Sequence, residues 1–126
     1  MAEKFEAMVV LGDRNSRIKD FFDLYQLANE WKFDRELLVE AVRRTFARRR
    51  TPVPQVQPIA LTTTYWENPT RPAQVRAFAN RAGLRVPRLP ESLLPALLNS
   101  FLGPVLDDLR HGREQKGTWT PGGPWS

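Results

Sequence analysis

The residues that could do chemistry are concentrated near the start of the chain. The stretch SRIKDFFDLY, residues 16–25, holds an arginine, a lysine and two aspartates among large apolar side chains, and Lys4 stands in the apolar stretch before it. A lysine and an arginine beside a carboxylate suit a polyphosphate and its metal, because the cations bind phosphate oxygens and neutralise charge. The first question is therefore whether these charges lie together or only stabilise a helix end.

A helical wheel separates the charges of this stretch into two sets. Lys19 and Asp23 fall on the polar side of the helix, whereas Arg17 and Asp20 fall among the apolar positions. Burying a charge is costly unless it is paired or ligated. Arg17 and Asp20 are three residues apart and could pair with each other, and an early carboxylate also favours the helix dipole. Both a structural and a functional interpretation are open at this point.

The preceding helix shows the same anomaly with the opposite charge. Lys4 falls inside the apolar arc formed by residues such as Phe5, Met8 and Val9. A lysine can extend its charged end out of such an arc, which is the structural alternative. Since two adjacent helices carry opposite charges on their apolar sides, we predict a cleft where Lys4, Arg17 and Asp20 converge.

The elements that must position these residues are helices. Gly12 should end the first helix, Asn15 or Ser16 should cap the second, and Asp34 should cap the third. Residues 51–58 are proline-rich and should form an extended loop, and Thr62–Thr64 have strand propensity. Pro95 and Pro104 should kink or split the last helix. The sequence predicts an all-α fold with five helices, over about residues 2–11, 16–31, 34–49, 70–82 and 91–110.

The composition narrows the class of protein. The 126 residues are enough for one modest domain, which we divide into a three-helix segment (1–50), a proline-rich loop with C-terminal helices (51–112) and a Pro/Gly/Trp tail (113–126). The absence of cysteine and the single histidine, His111, exclude disulfides, thiolate sites and multi-histidine zinc clusters, so we expect no metal site from these residues. His111 follows a helix end and should act as a cap. No signal peptide or membrane-length apolar run is present, so we expect a cytoplasmic protein.

The middle of the chain is strongly basic. Residues 35–88 hold eleven arginines and three glutamates, a net charge of +8. Arginine suits bidentate phosphate contacts, so we predict that five arginines near the end of the third helix contact RNA: Arg43, Arg44, Arg48, Arg49 and Arg50. The alternative is that they only favour the helix dipole.

Two pairs of aromatic residues are open to two interpretations. Tyr65 and Trp66 lie close to the basic segment and could stack on bases or pack under the proline loop. Trp119 and Trp125 in the tail could dock on a missing part of the protein or on a partner.

At these residues the sequence resembles the later motifs of the AbiEii/AbiGii toxin family of nucleotidyltransferases. The pattern is Glu-Lys at the start of one helix and Lys-Asp-x-x-Asp-Leu on the next. The stretches TFARRRTPVP, PIALTTTYWENPTRPAQVRAF and PGGPW are similar to one subgroup, so the resemblance covers nearly the whole chain. The matching motif residues are Glu3, Lys4, Lys19, Asp20, Asp23 and Leu24.

The resemblance implies a toxin of an antiphage, abortive-infection toxin–antitoxin pair, whose antitoxin partner also represses transcription. It implies the helical C-terminal half of a polymerase-β-like fold and transfer of a nucleotide from a nucleoside triphosphate, with magnesium, to RNA, in some relatives tRNA. By this resemblance Lys4 would contact the triphosphate and Asp20 would be the late catalytic aspartate. Lys19 and Asp23 would support the site, and the helical wheel adds Arg17 as a further supporting residue.

One family motif is missing. The Gly-Ser turn followed by paired carboxylates, which binds the catalytic metals, does not occur before Lys4. Phosphoryl transfer depends on metal positioning, so we expect no transferase activity and no cofactor for this chain alone. We expect a truncated gene, a misannotated start, or one half of a split protein whose other half is the N-terminal catalytic part. The alternative function is a non-catalytic helical module that binds RNA or the antitoxin.

Overall fold

A computed structural model describes residues 1–12, 18–82 and 93–126 of the chain. The predicted all-α class is confirmed, with the addition of a small two-stranded sheet. The predicted caps Asn15 and Ser16 and the predicted site residue Arg17 lie outside the described residues. The elements are α1 (Ala2–Leu11), α2 (Ile18–Glu30), β1 (Phe33–Asp34), α3 (Arg35–Arg48), α4 (Thr63–Glu67), α5 (Arg71–Ala82), α6 (Leu93–His111) and β2 (Thr118–Trp119), with a 3₁₀ turn at Ile59–Leu61.

The ends of α1 and α3 follow from local chemistry. Gly12 takes a φ of 54° and its N–H bonds the carbonyl of Met8, which ends α1. The Asp34 carboxylate accepts from the N–H of Leu37 at 3.1 Å, satisfying a backbone donor that has no partner within the helix. Both ends are where the sequence places them.

Residues 62–64 do not form a strand, although their strand propensity pointed that way. Thr62 precedes α4, and residues 63 and 64 are its first two residues. Tyr65 and Trp66 of this helix are buried against Phe21, with ring centroids 4.6 and 5.3 Å away. Two adjacent aromatic side chains can both pack on one neighbour from a helical turn, whereas a strand would point them to opposite faces. Tertiary packing therefore overrides the local preference.

The last helix is continuous, so the predicted split is wrong. Pro95 is the third residue of α6, where its missing N–H would have had no partner within the helix. Pro104 lies inside the helix, but Phe101, Leu102 and Val105 around it are fully buried, and this packing offsets the lost hydrogen bond. After the helix, Gly112 takes a φ of 60° and the Arg113 N–H reaches the carbonyl of Asp108 at 2.9 Å, a Schellman-type end.

The core lies between α1, α2, α3 and α6, with the α4 segment covering one side. No helix within the described ranges is long and apolar enough to cross a membrane. The largest fully buried side chains are Trp119, Tyr65, Phe5, Phe21, Phe46, Phe101, Met8, Leu24, Leu98, Leu102, Leu106 and Val42.

The tail packs onto the chain itself. Strand β2 pairs antiparallel with β1, so that Phe33 faces Trp119, and Trp119 also bridges Trp125. The indole N–H of Trp119 donates to the carbonyl of Ala28 at 2.7 Å, and that of Trp125 donates to Phe101 at 2.9 Å. These tryptophans therefore dock on this chain, which corrects the expectation that they dock on a missing part or a partner.

A buried ion pair completes the tail contact. The Arg35 guanidinium donates to both oxygens of Asp108, at 2.8 and 3.1 Å, and lies 5.6 Å from the centre of the Trp125 ring. Asp108 is fully buried, so removing either partner would leave an uncompensated charge. The pair thus joins the start of α3 to α6 and to the tail.

Gly123→Ala should destabilise the protein through a clash in the tail. A Cβ at this position would lie 2.7 Å from Cη2 of Trp119, and Gly123 has a φ of +83°. We expect a loss of about 1–3 kcal/mol from the clash, added to about 1–2 kcal/mol for the left-handed backbone. The measurement is the free energy of unfolding from urea titration.

Gly112→Ala is the matched control, because Gly112 also has a positive φ but its Cβ would meet nothing within 4 Å. It should cost only the backbone contribution. Equal losses in the two variants would contradict the packing of Trp119 on the Gly123 turn.

Candidate functional site

The facing sides of α1 and α2 bring one lysine onto two carboxylates. Lys4 Nζ lies 3.4 Å from Asp20 Oδ1 and 2.6 Å from Asp23 Oδ2. The Asp20 side chain is 3% exposed and the Lys4 side chain 33% exposed, so the contact sits at the edge of the core. The predicted convergence of Lys4 and Asp20 is present, and Arg17 lies outside the described residues.

Asp23 is more buried and makes more contacts in the cluster than its polar position on the helical wheel indicated. Its carboxylate is partly buried and accepts from Lys4 and Lys19, both at 2.6 Å. The sequence placed Asp23 and Lys19 toward water, which holds for Lys19 alone. The three-residue spacing of Asp20 and Asp23 was the available signal, because it puts both carboxylates within reach of one cation.

The contact between Lys4 and Asp23 favours the charged form of both groups. The hydrogen bond from Lys4 to Asp23 raises the pKa of the lysine, more than burial lowers it. For Asp23, burial acts to raise the pKa, but the hydrogen bonds from Lys19 and Lys4 outweigh it and the pKa is lowered. Both groups are therefore ionised at neutral pH.

The donor set suits phosphate better than metal. Within the described ranges, no group of three or more His, Asp or Glu side chains could hold a metal ion. The two α2 carboxylates bind lysine ammonium groups, so they hold a cation that is part of the protein. Lys4 has three N–H donors and uses two here, which leaves one that can be donated to a phosphate oxygen.

Most of the five predicted RNA-contacting arginines form ion pairs within the chain. Arg43 and Arg44 both bind Glu40, and the hydrogen bonds from Arg44 and Arg43 lower the pKa of that carboxyl. Arg48 lies 3.3 Å from Glu3 on α1. Arg50 is exposed and has a φ of 55°.

Arg49, the fifth of these arginines, pairs with a buried carboxylate that was not among the predicted site residues. Arg49 donates to Glu6 at 2.8 Å, and the Thr51 hydroxyl donates to the other Glu6 oxygen at 2.7 Å. The Glu6 side chain is only 7% exposed. On a helical wheel of α1, Glu3 and Glu6 both lie outside the apolar arc, so periodicity does not distinguish the buried glutamate from the exposed one.

The aromatic pair of α4 is part of the core. Tyr65 and Trp66 pack against Phe21, and the Arg71 guanidinium lies 3.7 Å from the centre of the Tyr65 ring. Arg71 is itself buried and donates to the Tyr65 carbonyl at 3.1 Å. The packing interpretation of Tyr65 and Trp66 therefore holds in place of base stacking.

A comparison with protein-family models covers most of the chain. Residues 1–109 match the family model of the nucleotidyl transferase AbiEii toxin, type IV toxin–antitoxin system. No curated protein and no solved structure matches the chain. Since the matched residues make up most of the sequence, the chain belongs to the AbiEii nucleotidyl transferase toxin family of type IV toxin–antitoxin systems.

Proposed function

We propose that this chain supplies the triphosphate-binding lysine of a toxin that transfers a nucleotide from a nucleoside triphosphate to RNA, with tRNA as the favoured acceptor. The observation that carries the proposal is the Lys4 ammonium held by Asp20 and Asp23 at the edge of the core. Family membership gives the reaction class and implies an antitoxin partner. The geometry supports a role for Lys4 that family membership alone leaves open.

In this proposal each residue of the cluster has one task. Lys4 binds the triphosphate, and the nearly buried Asp20 fixes where its ammonium points. Asp23 is the second anchor, and Lys19 offsets its charge. A lysine held in advance on two carboxylates loses little freedom when it binds phosphate, which favours charge stabilisation in the transition state.

Magnesium would supply charge neutralisation and orient the triphosphate when bound. Asp20 and Asp23 already bind lysine, so we propose that the catalytic metals are held by carboxylates other than these two. Because the Gly-Ser turn with paired carboxylates is missing from the sequence, we propose that these carboxylates belong to another part of the enzyme and that this chain alone is inactive. In this proposal Lys4 binds phosphate, and no residue of the cluster binds a metal ion.

Incorporation of labelled nucleotide tests the function. Each of the four nucleoside triphosphates is incubated with tRNA, magnesium and the protein, in the presence and absence of its antitoxin. The assay is run on this chain and on the product of any longer reading frame that contains it. Incorporation that requires a longer product would support the proposal. Incorporation by this chain alone would contradict the assignment of the metal ligands, and RNA binding without incorporation in any form would favour the non-catalytic module.

RNA contact by the exposed arginines gives a second prediction. Arg44 and Arg48 form exposed ion pairs, which contribute little stability and can be replaced by phosphate contacts. Replacing both by glutamine should weaken tRNA binding and lower the slope of log K against log salt by roughly 0.7–0.9 for each lost phosphate contact. The measurement is a filter-binding titration at several salt concentrations.

Arg76→Gln, which removes an exposed arginine on α5, is the control for net charge. An RNA affinity that does not depend on salt would contradict the role of the arginine cluster. The same holds if Arg76→Gln lowers the slope as much as the change at Arg44 does.

A further inference from the structure

Helix α1 is held from two flanks by opposite charges. Lys4 and Glu6 are two residues apart, which separates them by about 200° around the helix axis. Lys4 contacts Asp20 and Asp23 of α2, whereas Glu6 contacts Arg49 and Thr51 just past the end of α3. The apolar contact between them, Phe5 on Phe46 with ring centroids 6.0 Å apart, faces the core.

The geometry of the Glu6 contact is tightly constrained. Both carboxylate oxygens accept a hydrogen bond, from Arg49 at 2.8 Å and from Thr51 at 2.7 Å. The side chain is 7% exposed, so water competes little for these bonds. Apolar contacts alone tolerate a small rotation of a helix, whereas a two-point hydrogen-bonded ion pair has a narrow range of geometry.

The neighbouring Glu3 contact is more exposed than the Glu6 contact and constrains the helix less. Its side chain is 51% exposed, its bond to Arg48 is 3.3 Å long, and its other ion-pair partner, the N-terminal ammonium, lies 3.8 Å away. Such an exposed pair is easily replaced by water. Glu3 therefore offers a control with the same charge, on the same helix, one turn away from Glu6.

We infer that Glu6 is a positioning residue, which Arg49 and Thr51 clamp so that the rotation of α1 holds Lys4 on Asp20 and Asp23. The inference rests on the proposed function where it concerns nucleotide binding, but its geometric part does not. It also assigns Arg49, whose side chain is 44% exposed, to this clamp, a role different from the RNA contact proposed for Arg44 and Arg48. Nucleotide binding is then sensitive to a residue that never touches the nucleotide.

The geometric part is tested on the lysine itself. The chain has four lysines, so the Lys4 side-chain NMR signal can be assigned by its loss in Lys4→Arg. Glu6→Gln should move the pKa of Lys4 down toward its ordinary value of 10.5, because the contact with Asp23 loosens. Glu3→Gln should leave it raised. An unchanged Lys4 pKa in a folded Glu6→Gln protein would overturn the inference, and so would an equal change in Glu3→Gln.

A conservative pair of variants keeps the test decisive if Glu6→Gln does not fold. Arg49→Lys retains the charge beside Glu6, and Arg49→Gln removes it. The Lys4 pKa should stay raised in the first variant and fall in the second. If both behave alike, the clamp does not position Lys4.

The functional part is tested by a double-mutant cycle on the active protein. Glu6→Gln should raise the KM for the nucleoside triphosphate roughly tenfold, a coupling typical of residues in one network. In the Lys4→Met background, Glu6→Gln should change the KM no further. A loss that adds in full to that of Lys4→Met would reject positioning in favour of a general structural role. If Lys4→Met alone leaves both KM and kcat unchanged, the proposed function fails, and the NMR result still decides the role of Glu6.

Discussion

Lys4→Met should lower the rate of nucleotide transfer to RNA by about 100- to 1,000-fold, the cost of removing one pre-positioned donor to a developing charge. The substitution keeps the length of the side chain and removes only the ammonium. The Lys4 side chain is one-third exposed, so its own packing changes little, but the nearly buried Asp20 loses one partner and some loss of stability is expected. The measurement is the initial rate of labelled-nucleotide incorporation by the longer, active product that contains this chain, with and without the substitution, and circular dichroism is the check on folding.

Lys19→Met is the matched control for this experiment. Lys19 bonds the same Asp23 carboxylate but is largely exposed and does not contact Asp20 in the structure. We expect a change of only a few fold, consistent with the small worth of exposed ion pairs. Equal losses for the two lysines would mean that only the total positive charge matters.

Asp20→Asn separates orientation from charge in the same assay. The amide retains the size of the carboxylate but attracts the Lys4 ammonium less strongly. Transfer should fall substantially, since Lys4 would then be held by Asp23 alone. Activity that survives both Lys4→Met and Asp20→Asn would remove the assignment of the site.

Trp119→Ala should produce the largest loss of stability, about 3–5 kcal/mol of the free energy of unfolding. Trp119 is fully buried, and its ring lies 4.8 Å from that of Phe101 and 5.5 Å from that of Trp125, measured between centroids. The substitution would also remove the indole bond to the Ala28 carbonyl. Since small domains are stable by only about 5–15 kcal/mol, a measurable unfolded fraction is expected. Urea titration followed by circular dichroism measures the loss.

Trp31→Ala is the control, because Trp31 is 60% exposed. Its removal should change the free energy of unfolding by less than about 0.5 kcal/mol. Trp119→Phe, which keeps an aromatic ring and loses the N–H donor, should fall between the two. A Trp119→Ala protein as stable as Trp31→Ala would contradict the docking of the tail on the helices.

Helical periodicity predicted one part of the site and missed another. The wheel brought Lys4 and Asp20 to facing apolar sides because helical periodicity is a local property. It failed for Asp23, since one carboxylate shared by two lysines depends on how α1 approaches α2. It also gave no reason to separate Glu6 from Glu3, because burial of one of them is decided by where α3 ends.

The arginines illustrate the same limit for electrostatics. A count of charges locates the basic segment of the chain, but it does not show which acidic residue each arginine pairs with. Arg35 reaches Asp108 and Arg49 reaches Glu6 across the fold, so these two cations serve the protein interior. Arg44, Arg48, Arg49 and Arg50 are all exposed, and only the tertiary structure shows that Arg49 pairs with a buried carboxylate.

The sequence by itself determined the helical class, the ends set by Gly12 and Asp34, and the motif residues of the family, because these depend on periodicity, caps and residue type. The tertiary structure decided the features that depend on contacts distant in sequence. It formed α4 in a segment that has strand propensity. It kept α6 continuous through Pro104, and it docked the tail on the helices through Trp119. It also placed Lys4 between two carboxylates, because the energy of each of these arrangements comes from burial and pairing that neighbouring residues cannot supply.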